Sequence, residues 1–221
     1  MIALVDYGAG NLTSVKKALT ALGAAFTVPE APEDCAGASG LIVPGVGHFS
    51  ATTALGASWR DAIGRAVRAG TPLLGICVGM QWLFEGSEEA PEVAGLSVLG
   101  GTCRLLHGDA GQRLKIPHVG WNVLKSPAEP QVRGQQERGQ QSSAPQAFRG
   151  RLLAGLPPAP YVYFTHSFAA PVTSDCVAST THAESFAAAV ERDLVFGVQF
   201  HPEKSGDAGL QILRNYLALC R

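Results

Sequence analysis

Nine residues carry the densest chemical signal in the chain: Leu73-Leu74-Gly75-Ile76-Cys77-Val78-Gly79-Met80-Gln81. An apolar run feeds a Gly-x-Cys-x-Gly turn, and a helical pattern follows. Glycines two before and two after a nucleophile permit the cramped strand-to-helix turn known from Gly-x-Ser-x-Gly sites. Such a turn exposes Cys77 and aims it at a helix N-terminus, where free N–H groups and the helix dipole favour a thiolate. Most free cysteines are instead small buried hydrophobes. Cys35, Cys103, Cys176 and Cys220 lack glycine-flanked surroundings and are expected to be structural.

A thiolate nucleophile needs a base, and the base needs a group to orient it. The run Val195-Phe196-Gly197-Val198-Gln199-Phe200-His201-Pro202-Glu203 offers both at the end of a buried strand. In an extended stretch residues i and i+2 share a side, and proline biases the residue before it towards that conformation. Glu203 is therefore expected to hold one ring nitrogen of His201 and leave the other for Cys77. Acyl transfer also requires donors for an oxyanion. The Gly-rich turn of Leu41-Ile42-Val43-Pro44-Gly45-Val46-Gly47 and the N–H of Val78 are the candidates.

The elements that must hold these residues follow from apolar periodicity. Ile2–Val5, Ala25–Val28, Leu41–Val43 and Leu73–Ile76 read as buried strands. Leu12, Val15, Leu19 and Leu22 mark one helix, closed by Gly23. Leu55, Trp59, Ile63 and Val67 mark a second, closed by Gly70. Continuous apolar strands alternating with helices predict an α/β fold with a mostly parallel central sheet and helices on both faces. The second half is richer in strands: Leu96–Val98, Thr102–Leu106, Val162–Thr165, Cys176–Thr180, Phe186–Val190 and Leu194–Phe200, before a last helix through Leu210–Leu219. These later strands are expected to extend the sheet antiparallel, within one domain spanning residues 1–221.

Composition narrows the function classes. Of the 221 residues 46% are hydrophobic and 16% charged, which excludes disorder of the whole chain. Seventeen basic residues against 18 acidic ones argue against nucleic-acid binding. The N-terminus lacks the charge and apolar run of a signal peptide, no stretch is long enough to span a membrane, and no CxxC pair exists. Five unpaired thiols point to a reducing, cytoplasmic setting, with no metal or cofactor implied. Residues Ser126–Gly150 stand apart, with six Gln, three Pro and a near repeat at 133–141. Such a composition predicts a flexible insertion. Eight Lys/Arg against three Asp/Glu within 104–151 serve either to attract an anionic substrate or partner, or simply to solvate a loop.

The elbow at 75–81 together with His201-Pro202-Glu203 resembles the class I (triad) glutamine amidotransferases. Other segments sharpen the match: Asp6-Tyr7-Gly8-Ala9-Gly10-Asn11-Leu12, Pro44-Gly45-Val46-Gly47-His48-Phe49, Pro117-His118-Val119-Gly120-Trp121-Asn122, Tyr163-Phe164-Thr165-His166-Ser167-Phe168 and Gln199 to Ser205. Within the family this set is similar to the glutaminase subunits of imidazole glycerol phosphate synthases, apart from Ser126–Gly150. The resemblance implies glutamine hydrolysis in histidine biosynthesis. It also implies a heterodimer with a (β/α)8-barrel cyclase that consumes the ammonia to make imidazole glycerol phosphate and aminoimidazole carboxamide ribotide.

Carried over by position, Cys77 is the nucleophile, His201 the general base and acid, and Glu203 the orienter. Gln81 and Glu89 match residues that hold glutamine, and Ser167 and Phe168 match its backbone-binding strand. Val46 matches a peptide whose N–H turns into the oxyanion hole. Asn11, Trp121 and Lys204 match positions at or near the cyclase. Plainer roles stand beside these: Trp121 as core, Glu89 as a solvated charge. Glutaminase subunits of anthranilate or aminodeoxychorismate synthase usually carry Pro-Gly-Pro-Gly and a histidine before the glutamine of the elbow; Val46 and Met80 stand here instead. A catalytically inactive regulatory module would not need all of Cys77, His201 and Glu203. A cysteine peptidase does not suit Gln81 and His-Pro-Glu.

Overall fold

The computed structural model describes residues 1–9, 12–107, 114–127 and 148–220. Asn11 and most of the Ser126–Gly150 insertion, residues 128–147, lie outside the described residues.

The first half builds β1 (Ile2–Leu4), α1 (Leu12–Ala21), β2 (Phe26–Thr27), β3 (Gly40–Gly45), α2 (Ala57–Arg68), β4 (Leu73–Cys77) and the short α3 (Val78–Trp82). The second half adds β5 (Gly86–Ser87), β6 (Thr102–Leu105), β7 (His118–Val123), β8 (Tyr161–His166), β9 (Phe168–Ala169), β10 (Cys176–His182), β11 (Glu184–Arg192), β12 (Val195–Val198) and α4 (Gly206–Leu219). Seven strands form the main sheet in the order β10-β11-β12-β4-β3-β1-β2. The run from β12 to β2 is parallel, and β11 and β10 add antiparallel at one edge.

Every residue of β1, β3, β4 and β12 is buried, which is why their sequences are continuously rather than alternately apolar. The chain moves outward from β1 to β2 and in the opposite direction from β3 to β4. Right-handed crossovers then put α1 and α2 on opposite faces of the sheet. Helix α4 turns Ile212, Leu213 and Tyr216 inward. The Tyr216 hydroxyl donates to the carbonyls of Leu41 (2.7 Å) and Pro72 (3.0 Å), tying this helix to the starts of β3 and β4. Each fully buried large side chain of this core contributes about 1.5–3 kcal/mol relative to exposure.

Several expectations shift. Leu96–Val98 is no strand. The N–H groups of Gly95, Leu96, Ser97, Val98 and Leu99 instead donate to the carbonyls of Glu85, Trp82, Phe84 and Leu83. The apolar run thus covers carbonyls at and just past the C-terminal end of α3, which would otherwise stay unsatisfied. Leu55 precedes α2, because residues Phe49–Ala54 form a 3₁₀ turn and the helix begins only at Ala57. Thr102–Leu105 and Tyr161–His166 join small sheets of their own, the latter with β7, rather than the main sheet. All five cysteines are free. Burial pushes the Cys35 thiol up to about 11 and the Cys176 thiol up to about 12, and also raises Cys103 and Cys220.

Candidate active site

Strands β3, β4 and β12 end side by side, with Gly45 paired to Cys77 and Val198 paired to Ile76. The carboxyl edge of a parallel sheet is the usual place for a ligand site. Here it carries the cysteine.

Cys77 takes φ 53° and ψ −109° between the last strand residue and the first turn of α3. A non-glycine residue in that region costs on the order of 1–3 kcal/mol and persists only where its surroundings enforce it. The glycines provide that enforcement. A Cβ at Gly75 would stand 2.5 Å from the Gly79 carbonyl oxygen, and one at Gly79 would stand 1.8 Å from that of Val43. Strand and helix therefore approach more closely than any side chain at these positions would allow.

His201 is held from both ends. Its backbone N–H donates to the Tyr163 carbonyl (2.9 Å), and its own carbonyl accepts from the Ser205 hydroxyl (2.6 Å). Nδ1 lies 2.8 Å from Glu203 Oε1, with both side chains almost wholly buried. The expected contact is present, but by a different route. Pro202–Lys204 form a 3₁₀ turn, so the carboxylate comes back to the ring across a turn rather than along an extended strand. The other ring nitrogen, Nε2, is buried with no partner in full hydrogen-bond geometry among the described residues, and the Cys77 sulfur is its electrostatic neighbour. Burial works against the imidazolium, yet interactions with Cys77 and Glu203 outweigh it and push the ring up to about 9.

From sequence Gln199 stands out only as part of the motif Gln199 to Ser205. Fully buried, it aims Nε2 at Cys77 Sγ (3.7 Å) and accepts on Oε1 from Gln81 Nε2 (3.1 Å). The signal that identifies it is a polar residue closing an apolar strand two positions before His201. Gln81 Nε2 also donates to the Phe168 carbonyl (2.8 Å), and the Cys77 thiol points at the Thr165 carbonyl (3.9 Å).

Gly47, Cys77, Val78, Gln81, Glu89 and the stretch from Thr165 to Phe168 line one narrow cleft. At about 30 Å³ it has room for a water molecule, so an amino-acid substrate requires its walls to part. Glu89 is half-buried there and accepts the Phe49 N–H (2.7 Å), which makes it more than a solvated charge. Val46 is half-buried and directly follows Gly45, the residue paired with Cys77. Tyr7 brings a buried hydroxyl, without a hydrogen-bond partner among the described residues, close against Gly45. Burial, and then the nearby Cys77, raise its pKa far above 10. A larger cavity, about 500 Å³, lies elsewhere around Ala38, Thr71 and Arg151 and contains none of this chemistry.

Trp121 and Lys204 stand outside the cleft. Trp121 is 56% exposed on the β7–β8 ribbon, so it is not core, and Lys204 Nζ sits 5.9 Å over the Tyr163 ring of the same ribbon.

The family description "Glutamine amidotransferase class-I" matches residues 3–219. The chain belongs to this family. As a class-I glutamine amidotransferase it is 40% identical over 228 residues to the imidazole glycerol phosphate synthase subunit HisH of Moorella thermoacetica, covering 100% of this chain and 95% of that one. It is 42% identical over 221 residues to the subunit of the same name from Gloeobacter violaceus, covering 98% and 88%. A solved glutamine amidotransferase superposes with a TM-score of 0.70 at 19% identity over 99% of this chain and 98% of the other, which establishes the shared fold.

Proposed function

We propose that this amidotransferase is the glutaminase subunit of an imidazole glycerol phosphate synthase, releasing ammonia at Cys77 for a (β/α)8-barrel cyclase partner in histidine biosynthesis. The observation that carries the chemistry is the buried His201–Glu203 pair beside a cysteine held at the strand-to-helix elbow. In this reading the Cys77 sulfur attacks the side-chain amide carbon of glutamine, and N–H groups of Val46 and Val78 receive the developing oxyanion. His201 takes the thiol proton and returns it to the departing nitrogen, so that ammonia leaves and a glutamyl thioester remains. Water, deprotonated by the same ring, then releases glutamate and restores the thiol. Gln81, Glu89, Ser167 and Phe168, all lining the cleft, hold the substrate.

Support for the partner comes from the names of the relatives, which are subunits. It also comes from an uncovered surface of large apolar side chains, two of them aromatic. Val119, Trp121 and Tyr161 are 57%, 56% and 62% exposed on one ribbon, with Lys204 beside them. Exposed aromatics of this kind mark a docking face. Ammonia released into bulk water would be protonated, so the acceptor subunit must close over the exit. Asn11 is assigned to the same interface on the resemblance alone.

Glutamate release is expected to be feeble from the chain alone and to rise strongly when the cyclase and its phosphorylated ligand are added. The measurement is a glutamate assay on the chain, on the pair and on the liganded pair. Equal rates in all three would overturn partner activation. No imidazole product from glutamine in the liganded pair would overturn the pathway assignment.

A further inference from the structure

Ribbon β7–β8 has two faces. One carries the exposed aromatics; the other turns His118, Asn122 and His166 towards the body of the protein, where His118 and His166 are buried. These inward side chains form a directed chain of hydrogen bonds. His166 Nδ1 meets the Phe168 carbonyl at 2.9 Å, and a carbonyl only accepts, so this nitrogen carries the proton. Burial keeps both rings neutral, lowering His118 to about 4 and His166 to about 3. His166 Nε2 must then accept, and it does so from His118 Nδ1 at 3.1 Å. His118 Nε2 in turn accepts from Asn122 Nδ2 at 3.3 Å. The amide of Asn122 has its own orientation set, because Nδ2 also donates to the Thr181 carbonyl (3.0 Å) and Oδ1 accepts the Val123 N–H (2.8 Å).

The far end of this chain is the cleft. By bonding from residue 166 to the carbonyl of residue 168, the His166 ring braces the bend at Ser167 that brings Ser167 and Phe168 to the cleft wall. The same Phe168 carbonyl receives Gln81, which reaches Gln199 and through it the Cys77 sulfur. Among the described residues no group of three His, Cys, Asp or Glu side chains is arranged to hold a metal ion. Nearby His182 stacks on His118 (centroids 4.2 Å apart) and bonds the Lys115 carbonyl, so it stays outside the chain.

We propose that His118 and His166 are positioning residues for glutamine binding: the relay from Asn122 through both rings to the Phe168 carbonyl sets the shape of the substrate wall from the inner face of the ribbon. This rests on the glutaminase reading and adds to it a group of residues that reaches the cleft at His166 from the inner face of the ribbon. Its weight falls on substrate affinity rather than on the chemical step, because none of the three touches the sulfur.

The test compares His118→Phe and His118→Asn in the complex with the cyclase and its ligand. Phenylalanine keeps the ring stacked between Phe164 and His182 but removes both hydrogen bonds. Asparagine puts an amide nitrogen at the position of Nδ1 and restores the donor to His166. With glutamine varied, His118→Phe is expected to raise KM roughly tenfold with kcat held within about twofold, and His118→Asn to recover most of that loss. Asn122→Ala, at the outer end, is expected to raise KM about threefold, and it tests the relay even if His118→Phe fails to fold. Unchanged KM in His118→Phe or Asn122→Ala, or equal losses in His118→Phe and His118→Asn, would overturn the proposal. Wild-type complex without glutamate release would overturn the glutaminase reading itself, whereas an active wild type with unmoved variants overturns the relay alone.

Discussion

Cys77→Ala is expected to lower glutamine hydrolysis by about ten-thousandfold or more, while the cyclase keeps making its product from supplied ammonium. The magnitude follows from the behaviour of nucleophiles that act as one unit with their base, where loss of either removes the covalent route altogether. Folding should be spared. Alanine and cysteine share a Cβ, so the positive φ of residue 77 costs both about the same, and the contacts of the sulfur with Gln199 and the Thr165 carbonyl are long, at 3.7 and 3.9 Å. A complex that keeps glutaminase activity with alanine at this position would show that the nucleophile lies elsewhere.

Glu203→Gln is the second large effect expected, a fall of between about a hundredfold and ten-thousandfold in kcat/KM for glutamine. Glutamine can still offer an oxygen to His201 Nδ1, but it carries no charge to stabilise the imidazolium. The pH dependence separates these contributions. In the native site burial lowers the ring pKa, and interactions with Cys77 and Glu203 reverse this to reach about 9. Removing the carboxylate lets the pKa drop. In the proposed mechanism His201 must be protonated to hand a proton to the departing nitrogen, so a lower pKa means that this proton is lost at lower pH. The alkaline limb of kcat/KM should therefore move to lower pH in Glu203→Gln. A rate loss with the limb unmoved would make Glu203 a packing residue and not the partner of the charged ring.

What could be read from the sequence was what local sterics impose. The glycines at 75 and 79 are required by contacts with Gly79 and Val43 that any Cβ would violate, so the elbow announces itself within five residues. Buried parallel strands likewise show as short apolar runs. Glu203 was legible as the partner of His201 because it lies two positions further on, although the 3₁₀ turn that joins them was not. Leu96–Val98 misled because an apolar run says only that a segment is buried; here its backbone serves the end of α3. The His118–His166 contact joins residues 48 apart in the chain and depends on the pairing of β7 with β8. Strand β7, His118–Val123, has glycine, histidine and asparagine where an apolar run would have flagged it. Gln199 shows the same limit: its type and burial are local, but its two partners come from β4 and α3.

The proposed hydrolysis requires Cys77 to form a covalent bond with the side-chain carbonyl carbon of glutamine. A glutamine analogue bearing a diazoketone in place of the amide identifies the nucleophile, because once its diazo carbon is protonated the group held against the adjacent carbonyl displaces N2 and is alkylated. Incubated with the liganded complex and mapped by peptide mass spectrometry, it should add one label per chain, on Cys77, with glutamine protecting and hydrolysis lost in step with labelling. Inactivation with the label on another residue, or with Cys77 unmodified, would show that the nucleophile is not Cys77.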